Sequence, residues 1–291
     1  MAYSTLTTTD LRAVIGDNGA HDVHRAGYNG VWSLEHRSLS RNVFVPAFAG
    51  LNLEHIFDGA PPFHRDVFFE PRVAPMELRE EGESVLLYQP PTPTFELESW
   101  SRFRLRSPHY IDLSFECRPH QHVFDHGYIG LFWASYMNAP LDKSLYFLGG
   151  ETPDQPLWQQ YCTQYHNDQS TVLSAADEFE LTVTPDYRDA LFRHPSRLRF
   201  HQPFYYGRIG GLVWIVMFRT RSLLRFSHSP SGGGVNRARQ TTNPAWDFQL
   251  IIPEFEVAER YRLEVRGVLR PSCSREAIVE EYQRWMETED E

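Results

Sequence analysis

The chain has 291 residues, enough for one large β domain or two smaller ones, and a domain of that length buries about three quarters of its unfolded surface. Its 38 acidic and 28 basic residues give a formal net charge of −10. No run of basic residues with interleaved aromatics offers a track for a phosphate backbone. We therefore expect no nucleic-acid partner.

The N-terminal segment has neither a basic region nor an apolar core of signal-peptide length, and the longest apolar stretches, about ten residues, are well below a membrane span. Cys117, Cys162 and Cys273 are odd in number and widely spaced, which argues against a disulfide framework and a cysteine zinc site. Unless a signal has been removed, we expect a soluble cytoplasmic protein with reduced thiols, no membrane partner and no cofactor. The sequence leaves a homo-oligomer open.

Residues 1–28 carry a weakly amphipathic stretch from Leu11 to Ile15 and predict a short helix or a strap against the domain edge. Strand signals begin at Asn29, and the aromatic content of 14% with 20 prolines and 18 glycines is typical of many short strands and turns. Because neither a repeat nor a convincing linker follows, we predict a single β domain over residues 29–272. In the last segment, 273–291, Ser274 is the predicted N-cap of a helix.

A short apolar frame between Gly50 and Gly59 contains an unusual density of polar residues. They are Asn52, Glu54, His55 and Asp58. A histidine can serve as a general base near neutral pH, and Ile56 and Phe57 would partly dry the ring of His55 while Glu54 or Asp58 orients it. His55 is the first catalytic candidate; the structural alternative is a histidine that bridges a turn.

Alternation from Phe95 to Arg106 predicts a strand with one core face and one charged face, which carries Glu98, Trp100 and Arg102. A carboxylate beside an aromatic ring can protonate the oxygen of a sugar held on that ring, so Glu98 is the second catalytic candidate. Its structural alternative is an ion pair with a neighbouring arginine on the sheet. The arginines of this strand could also receive acidic sugars.

His120 and His122 form an H-x-H pair of the kind that begins some metal sites. No third ligand has a diagnostic spacing, and a chance pair is common among 13 histidines, so we predict no metal site. A metal-dependent β-barrel enzyme remains an alternative. His126, a few residues later, lies at the entrance to the next strand and is a candidate for substrate contact.

The stretch from Gly127 to Met137, GYIGLFWASYM, is free of charge and predicts a strand buried on both faces, with Tyr136 at an end that can open on a cleft. Gly211 to Phe218 is a second run of this kind, and we predict that the two strands are partners. Two such strands imply stacked layers with both faces covered.

Further candidates lie in polar loops or beside these runs, where plain packing or solvation is the alternative. They are His166, Asp168, Tyr205, Tyr206, His228, Trp246 and Asp247. Three consecutive glycines in the loop from Ser229 to Gly234 permit a close backbone approach or flexibility, but the loop has no lysine and opens no helix, which excludes nucleotide binding. Neither a G-x-S-x-G elbow nor a cysteine signature is present, so acid–base chemistry remains.

Long antiparallel strands, two fully buried runs, a polar mid-chain loop and aromatic–acid pairs resemble the galactose mutarotase-like super-sandwich. The resemblance implies a large all-β antiparallel fold that binds carbohydrate on a concave face. Its epimerase branch pairs a histidine with a glutamate, roles that the resemblance gives to His55 and Glu98. The characteristic histidine-asparagine motif of that branch is not matched in this sequence. EHIFDG, LESW, GYIGLFWASY and SPSGGG…NPAWDF also resemble bacterial proteins of unknown activity.

We therefore predict a carbohydrate-active enzyme that uses acid–base chemistry on a small sugar or oligosaccharide, as an epimerase, lyase or hydrolase. The predicted catalytic residues, His55, Glu98, His166 and Asp247, should converge on one pocket. The predicted substrate contacts are Glu54, Asp58, Trp100, Arg102, His126, Tyr136, Asp168, Tyr205, Tyr206, His228 and Trp246. The first alternative is a non-catalytic carbohydrate-binding β-sandwich protein, which predicts a shallow aromatic face without a buried titratable pair.

Overall fold

The structure is a computed structural model that describes residues 2–60, 65–150, 157–220, 223–235, 240 and 242–288, so the extreme ends of the two predicted terminal segments lie outside it. The strands are β1 (Tyr3–Thr7), β2 (Leu11–Gly16), β3 (Gly30–His36), β4 (Asn52–Phe57), β5 (Glu77–Glu81), β6 (Ser84–Gln89), β7 (Leu97–Arg106), β8 (Tyr110–Pro119), β9 (Tyr128–Ala134), β10 (Leu145–Gly150), β11 (Leu157–Tyr161), β12 (Thr171–Ser174), β13 (Pro195–Phe200), β14 (Phe204–Ile209), β15 (Leu212–Phe218), β16 (Leu224–Ser229), β17 (Ala245–Pro253) and β18 (Tyr261–Pro271). The helices are α1 (Arg65–Phe68), α2 (Glu70–Val73) and α3 (Arg275–Glu287), with a single 3₁₀ turn at Leu191–Arg193.

Most of these strands form one extended sheet. Its order is β4-β9-β17-β16-β12-β13-β10-β14-β15-β18-β8-β7-β6-β5, with β11 added on β10, and β1-β2-β3 form a separate small sheet. The strand pairs are antiparallel except β12 with β13. The predicted all-β antiparallel sandwich with a short C-terminal helix is therefore confirmed.

Strand β9 separates two apolar clusters. All seven of its residues are buried, as the charge-free sequence predicts. On one face Trp133 packs in the main core, with its ring centroid 4.8 Å from that of Phe115, while on the other face Phe132 belongs to a second cluster that also includes Phe57. A Cβ atom on Gly130 would lie 2.4 Å from the Phe57 ring, so only glycine fits there.

The predicted pairing of β9 with β15 is wrong. Strand β9 pairs with β4 and β17, whereas β15 pairs with β14 and β18. Both runs lack charge because each is covered on both faces, and this burial pattern carries no information on which strand lies alongside which.

The N-terminal segment forms the hairpin of β1 and β2, not the short helix that was one expectation. Leu11, Ala13 and Ile15 are buried while Arg12 points to solvent, which is the two-residue period of a strand. Helical and strand periods cannot be distinguished over five residues, and the tertiary contacts with β3 decide between them.

The C-terminal helix agrees with its prediction. The Ser274 hydroxyl oxygen accepts a hydrogen bond of 3.2 Å from the backbone N–H of Ala277, as an N-cap does. Ile278, Tyr282 and Trp285 pack against β14 and β15. Among the described residues, no helix is both long and apolar enough to cross a membrane.

A buried ion pair fixes the long loop between β12 and the 3₁₀ turn. Arg225 on β16 donates hydrogen bonds of 2.7 and 3.2 Å to the two carboxylate oxygens of Asp177, and one of 2.6 Å to the carbonyl oxygen of Phe179. The two side chains are 3% and 0% exposed. Such a pair is costly to break because the remaining charge stays buried, so it holds the loop in one place.

We predict that Arg225→Met destabilises the protein by about 3–5 kcal/mol, because Asp177 would remain buried without a counter-charge. Urea unfolding measures the change. Arg79→Met is the matched control, since Arg79 pairs with Glu77 at the surface and such exposed pairs contribute little to stability. Equal losses in the two variants would contradict this account of the loop.

Candidate functional site

A cavity of about 230 Å³ lies over one face of β4, β9, β17 and the end of β16. Its apolar walls come mainly from the aromatic side chains Phe68, Phe69, Phe132 and Phe192. Its polar lining comprises Glu54, His55, Tyr136, His166, Arg188, Asp189, Ser229 and Asp247. The structure thus brings three of the four predicted catalytic residues, His55, His166 and Asp247, to one pocket, together with the predicted contacts Glu54 and Tyr136.

A β-bulge places two successive residues of β4 at this pocket. Leu53 lies opposite Trp133 and His55 lies opposite Phe132, so Glu54 is the extra residue. Successive side chains of a regular strand point to opposite faces, and a bulge breaks this alternation. Glu54 and His55 therefore both line the cavity.

Glu54 is the centre of a buried hydrogen-bond network. It is 7% exposed, and its Oε2 accepts hydrogen bonds from the Tyr136 hydroxyl and, at 3.1 Å, from Nδ2 of Asn52. Its Oε1 lies 3.4 Å from Nε2 of His55 and 3.7 Å from Nη1 of Arg72. Burial alone would raise the pKa of Glu54, but the hydrogen bond from His55 and the positive charges of His55 and Arg72 outweigh it and lower the pKa. Glu54 is therefore ionised at neutral pH.

His55 has acceptors at both ring nitrogens. Nδ1 lies 2.7 Å from the carbonyl oxygen of Phe68, which can only accept, and Nε2 faces the Glu54 carboxylate. The ring packs between Phe68 and Phe132, at centroid distances of 3.9 and 5.2 Å. Both ring nitrogens therefore face acceptors of the protein, which leaves no nitrogen for a substrate.

His166 lies at the rim with one nitrogen held and one available. Nδ1 lies 2.9 Å from the hydroxyl oxygen of Ser229, whereas Nε2 makes no hydrogen bond with the described part of the chain. Partial burial lowers the pKa of His166, the Asp189 charge opposes this change, and the Arg188 charge lowers the pKa further. The imidazole is therefore neutral at neutral pH and can accept a proton.

Asp247 lies at the floor of the pocket, on β17. Its Oδ1 accepts a hydrogen bond of 2.9 Å from the backbone N–H of Ser135, and Oδ2 makes no hydrogen bond with the described residues. Burial raises the pKa of Asp247 well above its usual range, the Glu54 charge adds to the effect, and the Ser135 hydrogen bond does not offset them. Folding therefore favours the protonated form of this carboxyl group.

The close approach that the glycine loop permits occurs at the pocket. A Cβ atom on Gly232 would lie 2.4 Å from the Cβ of Ala245, so glycine lets the loop pack on the start of β17. Both residues line the cavity.

Glu98, the fourth predicted catalytic residue, lies outside this cavity, on the face of β7 that also carries Trp100. The Tyr88 hydroxyl donates to its Oε1 at 2.8 Å, and Arg118 Nε and His120 Nε2 lie 3.0 and 2.8 Å from Oε2. Burial would raise the pKa of Glu98, but the hydrogen bonds from His120, Tyr88 and Arg118 outweigh it and lower the pKa. Arg118 and Arg260 cover the face of Trp100, at 5.7 and 4.6 Å from its centroid. These contacts match the structural alternative, pairing with a neighbouring arginine.

Several predicted substrate contacts are packing residues instead. Tyr205, His228 and Trp246 are fully buried away from the cavity, and Tyr206 packs on Tyr146 with ring centroids 5.0 Å apart. His228 is held by Thr163 at 2.8 Å and by the Lys143 carbonyl at 2.8 Å, and burial lowers its pKa to about 4.

The remaining predicted contacts also lie outside the cavity lining. Asp58 and His126 brace a turn, where Nδ1 of His126 lies 2.8 Å from the Asp58 carbonyl oxygen. Arg102 pairs with Glu81 on the surface, and Asp168 lies in the loop that carries His166.

The two histidines of the metal alternative are exposed and do not face inward. His120 contacts Glu98, and the ring of His122 lies 5.4 Å from that of Phe255. In the ranges that the structure describes, no group of three or more His, Cys, Asp and Glu side chains is arranged to hold a metal ion.

Sequence reasoning missed Arg72, Arg188 and the aromatic pair Phe68 and Phe69. Arg72 lies over the Tyr28 ring at 4.0 Å and beside Glu54, and Arg188 lies over Phe68 at 4.4 Å. All four belong to short or irregular segments without periodicity. In the sequence, the available signal for this group was the adjacent pair of phenylalanines, which lies close before Pro71.

Comparison with known proteins identifies the fold. No family model matches the sequence, and no curated protein matches it. A protein from Escherichia coli described as a candidate aldose 1-epimerase matches with a TM-score of 0.55 at 9% identity, over 93% of this chain and 99% of that one. The galactose mutarotase related enzyme from Lactobacillus acidophilus gives 0.52 at 9% identity, over 93% and 100% of the two chains. The aldose epimerase homologue from C. elegans gives 0.53 at 8% identity, over 93% and 99%. The predicted galactose mutarotase-like super-sandwich is thus confirmed as the fold, one that carbohydrate-related enzymes share.

The raised pKa of Asp247 predicts how stability depends on pH. Folding favours its protonated form, so this stabilisation is complete below the unfolded pKa of about 3.9 and is lost as pH rises toward the folded pKa. Relative to Asp247→Asn, the wild-type free energy of unfolding should fall by about 1.4 kcal/mol per pH unit within that window. Urea unfolding between pH 4 and 8 measures it.

Asp186→Asn is the matched control, because Asp186 is exposed in the loop before Arg188. Its stability difference from the wild type should stay nearly constant over the same pH range. A constant difference for Asp247→Asn as well would show that the buried carboxyl does not keep its proton.

Proposed function

We propose that this protein is a carbohydrate-active enzyme that moves protons at a single sugar ring bound in the cavity. The observation that carries the proposal is the placement of Asp247 and His166 in one small pocket. One is an acid whose pKa is raised and the other a base whose pKa is lowered. Two titratable groups displaced in this way can donate and accept protons in the same reaction near neutral pH.

The role of each side chain in proton transfer follows from its atom that makes no hydrogen bond with the described residues. His166 accepts a proton at Nε2 from a sugar hydroxyl, while Ser229 holds Nδ1. Asp247 donates its proton to a second oxygen of the same sugar, while the Ser135 N–H fixes its other carboxyl oxygen. The buried pair of Glu54 and His55 supports the pocket wall and takes no proton from the substrate.

Opening of a cyclic aldose fits this arrangement. The proton of the anomeric hydroxyl passes to His166, the ring carbon–oxygen bond breaks, and the ring oxygen takes the proton of Asp247, which leaves an aldehyde. Closure on the other face reverses the transfers and yields the other anomer. The names of the fold neighbours, aldose 1-epimerase and galactose mutarotase, favour this reaction over lyase or hydrolase chemistry.

The size and lining of the cavity favour one monosaccharide over an oligosaccharide. Its volume of about 230 Å³ is below the ~300–1,000 Å³ typical of sites for drug-sized ligands. Four phenylalanine rings offer apolar faces to the C–H groups of a sugar, and the polar lining offers partners for its hydroxyls. Two titratable groups with pKa values displaced in opposite directions, Asp247 and His166, are a feature that the non-catalytic alternative does not require.

The test is anomer interconversion measured by NMR saturation transfer, with aldoses such as galactose and glucose. The wild type should accelerate the exchange, and Asp247→Asn and His166→Gln should each slow it by about 10²–10⁴-fold. Glu98→Gln is the matched control, since Glu98 lies outside the cavity, and its rate should equal that of the wild type.

The outcomes of this experiment distinguish the proposed function from its alternatives. Sugar binding without acceleration would favour the non-catalytic module. A rate that depends on Glu98 and not on Asp247 would place the chemistry on the face of β7. Neither binding nor acceleration with any aldose would overturn the proposal.

A further inference from the structure

Arg188 is a cation of the pocket that has no acidic partner in the part of the chain that the structure describes. It lies in the loop before the 3₁₀ turn, lines the cavity and is exposed to solvent. The centre of its guanidinium group lies 4.4 Å from the ring centroid of Phe68 and 5.7 Å from that of Phe69. Within the described residues its side chain makes no ion pair and no hydrogen bond to an oxygen, so its five N–H donors face solvent at the pocket mouth.

The nearby acids are committed elsewhere. Asp189 accepts a hydrogen bond of 2.8 Å from Nδ2 of Asn167 and pairs with His194. Glu54 is paired with Arg72 and with His55. The Arg188 charge acts inside the pocket, because it lowers the pKa of His166.

Some other arginines of the chain do pair with acids. Arg79 and Arg104 at the surface pair with Glu77 and Glu83, at 2.6 and 2.8 Å. A guanidinium held on an aromatic face has a fixed position and presents a planar fork of donors that matches a carboxylate or a phosphate. An acidic chain with a net charge of −10 does not attract anions in general, so this group can act only at short range.

We infer that Arg188 binds an anionic group of the substrate, so that the pocket takes a monosaccharide bearing a carboxylate or a phosphate. The inference rests on the proposed function and narrows its substrate class. The anionic group lies at the mouth, on Arg188, and the reacting ring atoms lie deeper, between His166 and Asp247. The face of the sugar packs on the phenylalanine rings that also hold the guanidinium.

The test is calorimetric binding of a matched set of ligands: galactose, galacturonic acid, galactose 6-phosphate and inorganic phosphate. The wild type should bind at least one of the two anionic sugars about 10- to 100-fold more tightly than galactose, as expected for charge-assisted hydrogen bonds. Arg188→Gln should remove this preference, so that galactose and the anionic sugars bind with about equal affinity. Arg188→Lys should keep part of it, since it keeps the charge and loses the fork.

Arg197→Gln is the matched control, an exposed arginine on β13 that does not line the cavity, and it should bind all four ligands as the wild type does. The two anionic sugars distinguish a carboxylate site from a phosphate site. Equal affinity for galactose and both anionic sugars would overturn the inference and leave the proposed function standing. Inorganic phosphate bound as tightly as galactose 6-phosphate would also overturn it, because the site would then take the free anion. If none of these sugars binds, both the inference and the proposed function are wrong.

Discussion

The structure of the pocket depends on the burial of one charged carboxylate, Glu54. A buried charge is tolerated only where partners replace the water it has lost, and here four side chains from different parts of the chain do so. Asn52 and His55 come from the same strand, Arg72 from the helical segment that follows it, and Tyr136 from beyond β9. The hydrogen bonds and ion pairs to this one carboxylate thus connect β4, α2 and the segment after β9, and they fix one wall of the pocket. The same charge also helps to keep the proton on Asp247.

The sheet supplies the second part of the arrangement. Strands β4, β9 and β17 turn one face to the main core and the other to the second apolar cluster, so the pocket is built on a surface that is itself fully packed. The bulge in β4 directs Glu54 and His55 to the same side, and the loop held by Asp177 and Arg225 covers the pocket from above with Arg188. Strand β17 therefore carries the buried acid Asp247, the loop before β12 carries His166, and the clamped loop carries the Arg188 cation.

Much of the fold could be predicted from the sequence, because strand alternation and charge-free runs report burial directly, as in β7, β8 and β9. The pairing of the strands could not be predicted, since a strand buried on both faces has the same sequence pattern wherever it lies in the sheet. For the site, the density of polar residues around His55 was a usable signal. Glu98 lies beside an aromatic ring, as expected for a carboxylate that acts on a sugar. Whether it reaches the pocket depends on which face of the sheet packs against which loop, and such long-range contacts cannot be predicted from the local sequence. Arg188 lies in an irregular loop where no periodicity exists to mark it.

The central claim is that the pocket holds a protonated acid at its floor. The most direct measurement is the carbon-13 carboxyl resonance of Asp247, assigned by its loss in Asp247→Asn and followed from pH 4 to pH 8. The account predicts the chemical shift of a protonated carboxyl at pH 7, well above the usual aspartate pKa of about 3.9. A carboxylate shift already established by pH 5 would contradict it, because an ionised Asp247 could not donate the proton that the proposed reaction needs.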